Sequence, residues 1–308
     1  GGKSDGAVLL GIGDDAAIIR PHPAADWCVS SDMLLAGRHF FAHASAADIA
    51  HKVLAVNLSD MAAMGAVPRW VLLSAALPKL DEVWLQSFCD AFFSLCNEYG
   101  VSLVGGDTVR GDLVFNVTVI GEVPAGLGLR RSGASVGDDV WVSGLVGLAA
   151  AALRHLSGGC VLPPETAQDC LPCLLRPQPR VALGRALLEV AHAAQDVSDG
   201  LAQDLGHILH ASGVGARIFL QDLPTLPALR RFLPPDVLAR YMLAGGDDYE
   251  LVFTAPAHRR AQVAEAARQS ATPVSRIGSV VSGCGLEIVD ADGMPFFLHE
   301  GGFDHFAD

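Results

Sequence analysis

At six places the 308-residue chain sets aspartate beside small residues after an apolar run. These are GIGDD (Asp14, Asp15), SSD (Asp32), NLSD (Asp60), GGD (Asp107), DVSDG (Asp196, Asp199) and GGDD (Asp247, Asp248). One such aspartate is ordinarily a turn residue or a helix cap. Six are hard to explain as independent turns. Carboxylates that converge repel one another and lose hydration, so they need cations. An all-oxygen donor set without a His or Cys cluster selects Mg²⁺, or Mn²⁺, over Zn²⁺. Several such ions commonly bridge and neutralise nucleotide phosphates.

Other chemistries find little anchorage. There is no G-x-x-x-x-G-K-[ST] loop, no protein-kinase motif set, no G-x-S-x-G elbow and no H-E-x-x-H. Lysine occurs only at Lys3, Lys52 and Lys79, so basic help for a phosphate falls to arginines such as Arg110, Arg130 and Arg131. Each of these could equally be a solvated surface charge. His39, in AGRHF, is the histidine nearest in sequence to Asp32. His207 and His210 read as a surface pair. Cys170 and Cys173 form a lone C-x-x-C with no second pair to complete a metal site, and Cys89 and Cys96 read as core.

Composition narrows the field further. A net charge of −13 disfavours nucleic acid as a partner, because a phosphate backbone needs a basic face. Apolar residues make up 51% and charged ones 18%, which suits a globular protein with a large core. No apolar run approaches membrane-spanning length, so no membrane is expected. The opening GGKSDG lacks the pattern of a signal peptide. Seven cysteines, an odd number, suit a reducing compartment, and the expected location is cytoplasmic.

Positioning these residues requires alternating strands and helices. Strands are expected at Val8–Ile12, Ala16–Ile19, Trp27–Ser30, Trp70–Ala76, Val101–Val104 and Leu113–Val123. Helices are expected at Ala46–Met64 and Asp81–Tyr99. The Gly- and Ser-rich stretch Gly126–Asp139 marks a domain boundary, giving domains 1–136 and 137–308. Beyond it come strand Val140–Ser143, helix Leu145–His155, a looser stretch Ser157–Pro179 and helix Arg180–Ala194. A helix from Leu201 follows with Asp199 as N-cap, then strand Ala216–Leu220 and a proline-broken helical region, Pro224–Leu243. Strand Tyr249–Thr254, helix Arg259–Gln269 and strands Arg276–Val281 and Leu286–Val289 complete the pattern. The fold class is α/β (α+β), and five of the six aspartate clusters fall at expected strand ends or turns, where open α/β sheets bind ligands. Asp60 lies within a helix.

GIGDDAAII, SSDMLLAGRHF, KVLAVNLSDMAAMGAVP, GGDTVRGD, RRSGASVGD, DVSDGLAQDLGHI and GGDDYELVF, in this order, resemble the thiamine-monophosphate kinases. That family belongs to the aminoimidazole ribonucleotide synthetase superfamily, and the likeness runs from about Leu10 to GGFDHF. It implies a two-domain fold, with an N-terminal ATP- and Mg²⁺-binding domain whose sheet forms a homodimer interface, and a C-terminal α/β domain. It implies phosphoryl transfer from ATP to thiamine monophosphate with several Mg²⁺ ions, the last step in making thiamine diphosphate. Asp15, Ser30, Ser31, Asp32, Asp60, Asp107, Asp196 and Asp199 match metal-binding positions. Gly106, Asp107, Arg131 and Ser198 match ATP contacts. His39, Asp247 and Phe303 match positions near thiamine monophosphate, although Asp247 stands where the family usually has Glu. The chain also begins only about ten residues before GIGDD, where the family has a further helical segment. A related synthetase acting on an amide or formyl oxygen, and a non-catalytic nucleotide-binding scaffold, are the competing readings.

Overall fold

The computed structural model describes residues 6–13 and 15–298, and the chain falls into two compact units. The first comprises Gly1–Met61 and Ala66–Gly128, the second Ala62–Gly65 and Leu129–Asp308. Asp14 and Phe303 lie outside the described residues.

In the first unit, β1 (Val8–Leu10) and β2 (Ile18–Ile19) pair antiparallel around the GIGDD turn. β3 (Ala25–Leu35), α1 (Ala46–Ala63), β4 (Val67–Leu77), α2 (Glu82–Tyr99), β5 (Ser102–Arg110) and β6 (Val114–Pro124) follow. The four long strands form one sheet in the order β3-β6-β4-β5, with only β4 and β5 parallel. α2 starts where the Asp81 carboxylate accepts the Trp84 N–H at 3.1 Å and stops at Gly100, whose φ of 67° suits glycine. Its Phe88 lies 4.8 Å, centroid to centroid, from Phe115 of β6. Ile49, Val53, Leu54 and Leu58 of α1 are buried too, so one face of the sheet is covered by helices.

Two expectations change here. β3 does not end at Ser30 but continues to Leu35, so Asp32 sits inside a strand. β5 likewise runs through Gly105-Gly106-Asp107 to Arg110. Polar and small residues break the apolar pattern in both, yet β3 pairs without a break with β6, and β5 pairs with β4 on both sides of one register shift, which supplies the hydrogen bonds that keep them extended.

The second unit contains β7 (Asp138–Ser143), α3 (Leu148–Leu156), α4 (Pro164–Leu175), α5 (Val181–Ala186), β8 (Ala193–Asp196), α6 (Leu201–Ser212) and β9 (Gly215–Phe219). α7 (Pro227–Phe232), α8 (Pro235–Ala244), β10 (Leu251–Pro256), α9 (Arg260–Gln269), β11 (Val274–Val281) and β12 (Gly285–Val289) complete it. Its sheet runs β12-β9-β11-β7-β10-β8, antiparallel except for β12 against β9. The expected helix Arg180–Ala194 is a single short α5 followed by β8. Glu189, at φ 61°, turns the chain between them. The loose stretch Ser157–Pro179 holds α4, opened by Pro164 in its first turn, where a missing N–H costs nothing.

Candidate functional site

Strand parity sorts the candidates of the first unit. Ser30 and Asp32 point to the helix-covered face, where α1 presents Asn57 and Asp60 one turn apart. The Ser30 hydroxyl donates to Asp60 Oδ2 at 2.5 Å. Asp32 is gripped through its backbone: its N–H donates to Asn57 Oδ1 at 3.2 Å and its carbonyl accepts from Asn116 Nδ2 at 3.1 Å. Asn57 is fully buried and its amide also donates to the Val53 carbonyl at 3.0 Å. Burial first, and the neighbouring Asp60 charge second, push the Asp32 carboxyl up to about 7. Two carboxylates held this way favour a bound cation or a retained proton.

Ser31 and Asp107 belong to the opposite, open face. Ser31 Oγ lies 2.9 Å from Thr118 Oγ1 and receives the Asn116 amide at 3.2 Å. Asp107 stands in register with Ser74 of β4, and Ser74 with Asn116 of β6. A polar stripe therefore crosses the open face. The Asp107 carboxylate accepts the Thr108 N–H at 2.8 Å. Gly106 has φ 149°, and a Cβ there would lie 1.8 Å from the Leu73 carbonyl oxygen, so the close β4–β5 approach admits only glycine. Asp15 is exposed in the β1–β2 turn. His39 Nδ1 accepts the Leu35 N–H at 3.0 Å, which fixes its ring at the end of β3.

In the second unit, β8 delivers Asp196 and the turn Val197–Gly200 leads into α6. The GGDDYE segment lies alongside this turn. The Val197 N–H donates to the Glu250 carbonyl, Tyr249 N–H to the Val197 carbonyl and Asp247 N–H to the Ser198 carbonyl, each at 2.8 Å. Gly246, Asp247 and Tyr249 are all left-handed, at φ 66°, 59° and 48°. Non-glycine residues held in this region commonly mark functional sites, and Asp accepts it more readily than most. Asp248 and Glu250 alternate to the interior. Asp248 receives the Gly147 N–H at 3.0 and 3.1 Å, capping α3, and burial holds its carboxyl well above the usual range. Glu250 takes the Ser143 hydroxyl at 2.5 Å and the Arg180 guanidinium at 2.7 and 2.5 Å.

Asp199 does not cap α6. The N-cap is Gly200, and the cap oxygen comes from Asp204 inside the helix: its Oδ2 accepts the N–H groups of Ser198, Asp199 and Gly200 at 3.0, 3.1 and 3.1 Å. Asp199 Oδ2 instead receives the Gln203 amide at 3.1 Å. His207 is not a plain surface residue. It lies 3.1 Å from Gln195 Nε2, and burial first, then the Arg131 charge, hold it below its usual value while Asp199 opposes this. That places Arg131 and Asp199 within electrostatic reach of one imidazole. Among the described residues, no group of three or more His, Cys, Asp or Glu is assembled to hold a metal ion. Within the first unit the structure places Ser30 and Asp32 beside Asp60 on one face of the sheet and Ser31 and Asp107 on the polar stripe of the other, and within the second it sets the DVSDG turn against GGDDYE. Asn57, Asn116, Arg180, Gln195, Asp204 and Glu250 were missed, although an acidic residue one turn into α6 could have signalled an internal cap.

A mixed α/β pair of units with acidic strands and turns defines a class. Residues 13–123 match the AIR synthase related protein N-terminal domain, and residues 135–291 match the C-terminal domain of the same class. The thiamine-monophosphate kinase of Salmonella typhimurium is 44% identical over 302 residues, covering 97% of this chain and 93% of that protein. A crystal structure of thiamine-monophosphate kinase from Stenotrophomonas maltophilia is 44% identical with a TM-score of 0.88, covering 94% of this chain and 92% of that one. AaThiL complexed with AMPPCP and TMP is 29% identical with a TM-score of 0.81, covering 96% and 92%. The chain belongs to the thiamine-monophosphate kinase family.

Proposed function

We propose that this protein transfers the γ-phosphoryl group of ATP to the phosphate of thiamine monophosphate, giving ADP and thiamine diphosphate. The observation that carries this reading is the 44% identity to a thiamine-monophosphate kinase over 97% of the chain. The P–O bond to the ADP leaving group breaks as a bond forms to a phosphate oxygen of the acceptor. That oxygen is already anionic, so no base need remove a proton, and in-line transfer depends on positioning and charge neutralisation.

The hard-oxygen donors fit Mg²⁺, and the desolvated Asp32 beside Asp60 is a pair that a cation would relieve. Asp15, Ser30, Ser31, Asp32, Asp60, Asp107, Asp196 and Asp199 would hold the ions. When bound, Mg²⁺ supplies neutralisation of the phosphate charge. Gly106, Asp107, Arg131 and Ser198 would contact ATP, and His39, Asp247 and Phe303 thiamine monophosphate. Asn57 and Asn116 fix the Asp32 backbone, and Arg180 with Glu250 anchors the segment that carries Asp247.

Residues 1–136 serve on this reading as the ATP/Mg²⁺ and dimerisation domain and 137–308 as the α/β partner domain. The open sheet face carries Val29 at 62% and Met33 at 58% exposure beside Trp27 on β3, and Val109 on the opposite edge strand β5, apolar positions suited to burial in a homodimer. Among the described residues no helix is long and apolar enough to cross a membrane; a cytoplasmic location belongs to this reading. Incubation with ATP, Mg²⁺ and thiamine monophosphate should yield thiamine diphosphate by chromatography, and yield none with EDTA. A folded dimer that makes no product would overturn the reading.

A further inference from the structure

We propose that Asp204 is the positioning residue that sets the Asp196–Gly200 turn for the metal- and nucleotide-binding role suggested above, on which this inference rests. Its carboxylate ties both ends of that turn to one point. Oδ1 receives the side-chain amide of Gln195, the residue before Asp196, at 2.7 Å. Oδ2 receives three consecutive backbone N–H groups, from Ser198, Asp199 and Gly200. Asp204 is only 1% exposed, so water does not compete for these bonds.

The turn has little room to relax elsewhere. Its outer edge is paired with GGDDYE through Val197 and Ser198. At Gly200, φ is 137° and a Cβ would meet Ala244 Cα at 2.9 Å and the Leu243 carbonyl at 3.0 Å. The backbone is held from both sides, and what remains to face outward is the set of side chains on Asp196, Ser198 and Asp199. Charge-assisted bonds of this kind are about twice as strong as neutral ones, which favours a carboxylate as the anchor.

All four partners of Asp204 are donors, and this separates the substitutions. Alanine takes this acceptor from the three backbone N–H groups and leaves Gln195 Nε2 with His207 Nδ1, 3.1 Å away, as its neighbour. Asparagine keeps one acceptor for the three N–H groups and turns its amide towards Gln195. Gln195 can meet it by rotating its own amide, because its Oε1 is buried and at present has no partner. D204N should therefore keep the turn's shape with weaker bonds, and D204A should release it.

The test uses the full-length protein, its D204N and D204A variants, and amide hydrogen exchange across residues 197–201. Mn²⁺ binding, read from the loss of the free-ion paramagnetic signal, and steady-state kinetics complete it. In D204A, exchange at Ser198, Asp199 and Gly200 should accelerate about 100-fold or more. Mn²⁺ affinity should fall, and kcat should drop about 100-fold with KM for thiamine monophosphate nearly unchanged. D204N should recover at least about tenfold of that kcat loss, since a neutral acceptor replaces a charged one. Should D204A not fold, D204N against wild type gives the same readouts at smaller size. Unchanged exchange at 198–200 in the variants, or a lower melting temperature with kcat and Mn²⁺ affinity intact, would overturn the positioning role. Absence of thiamine diphosphate with the wild type would overturn the kinase reading instead, while exchange and Mn²⁺ binding would still decide the role of Asp204.

Discussion

Replacing Arg180 by methionine should unfold the second unit far more easily than its half-buried position suggests. Arg180 presents a two-point fork to Glu250, with Nε 2.7 Å from Oε2 and Nη2 2.5 Å from Oε1. The glutamate side chain is 7% exposed and the arginine 25%, so neither end is an ordinary surface charge. Methionine fills similar space but leaves Glu250 with the Ser143 hydroxyl as its remaining side-chain partner in this network. Breaking a buried pair by removing one member costs about 3–5 kcal/mol. For a domain of this size that is a melting shift of about 6–20 °C. Thermal and urea unfolding, followed by circular dichroism, measure it. Adding Glu250→Gln to the methionine background removes the stranded charge and keeps an acceptor for Ser143, so at least half of the loss should return. A loss under about 1 kcal/mol would mean the pair behaves as a solvated surface bridge. Failure of Glu250→Gln to restore stability would place the loss in packing rather than charge. Either result would refute the reasoning.

Asp32→Ala should abolish turnover by at least about 1000-fold while relieving a desolvated carboxylate, so stability should hold or rise; near-normal product formation by chromatography would show the ion site to be elsewhere. Gly106→Ala should cost about 2 kcal/mol or more, because the added Cβ must push β5 away from the Leu73 carbonyl; urea denaturation with an unchanged midpoint would contradict it. Asp248→Asn tests the buried carboxyl through pH. The folded pKa is raised well above the ordinary aspartate value of 3.8, so wild-type stability is fully present below that value and is lost as pH rises through the folded pKa. Asparagine does not titrate. The melting temperature of Asp248→Asn relative to wild type should therefore climb steadily from about pH 4 upward, and a difference independent of pH would count against a raised carboxyl.

Much of the architecture was legible because apolar periodicity survives in long elements. α2 carries Phe88, Phe92 and Leu95 on one face, with Asp81 and Gly100 at its ends, and it stands where the spacing places it. The errors fall where tertiary pairing overrides local pattern. Ser30-Ser31-Asp32 looks like a strand end, yet eleven residues of β3 pair with β6 without interruption. β8 reads Ala-Ala-Gln-Asp, which favours a helix by propensity, and is a strand because β10 pairs with it.

The aspartate pattern does not separate two kinds of carboxylate. Asp199 and Asp204 sit in one short motif, DVSDGLAQD, as do Asp247 and Asp248 in GGDD. Asp204 and Asp248 turn inward and accept backbone N–H groups, replacing the side-chain caps that Gly200 and Gly147 cannot provide. A helix opened by glycine still has free N–H groups to satisfy. Two glycines that allow close approach at helix starts therefore create a demand for two acidic residues placed elsewhere in the chain. The surplus of aspartate in this protein thus has a double origin. One part, on the proposed reading, is chemistry directed at phosphate and metal, and the other is the backbone cost of the tight turns beside it.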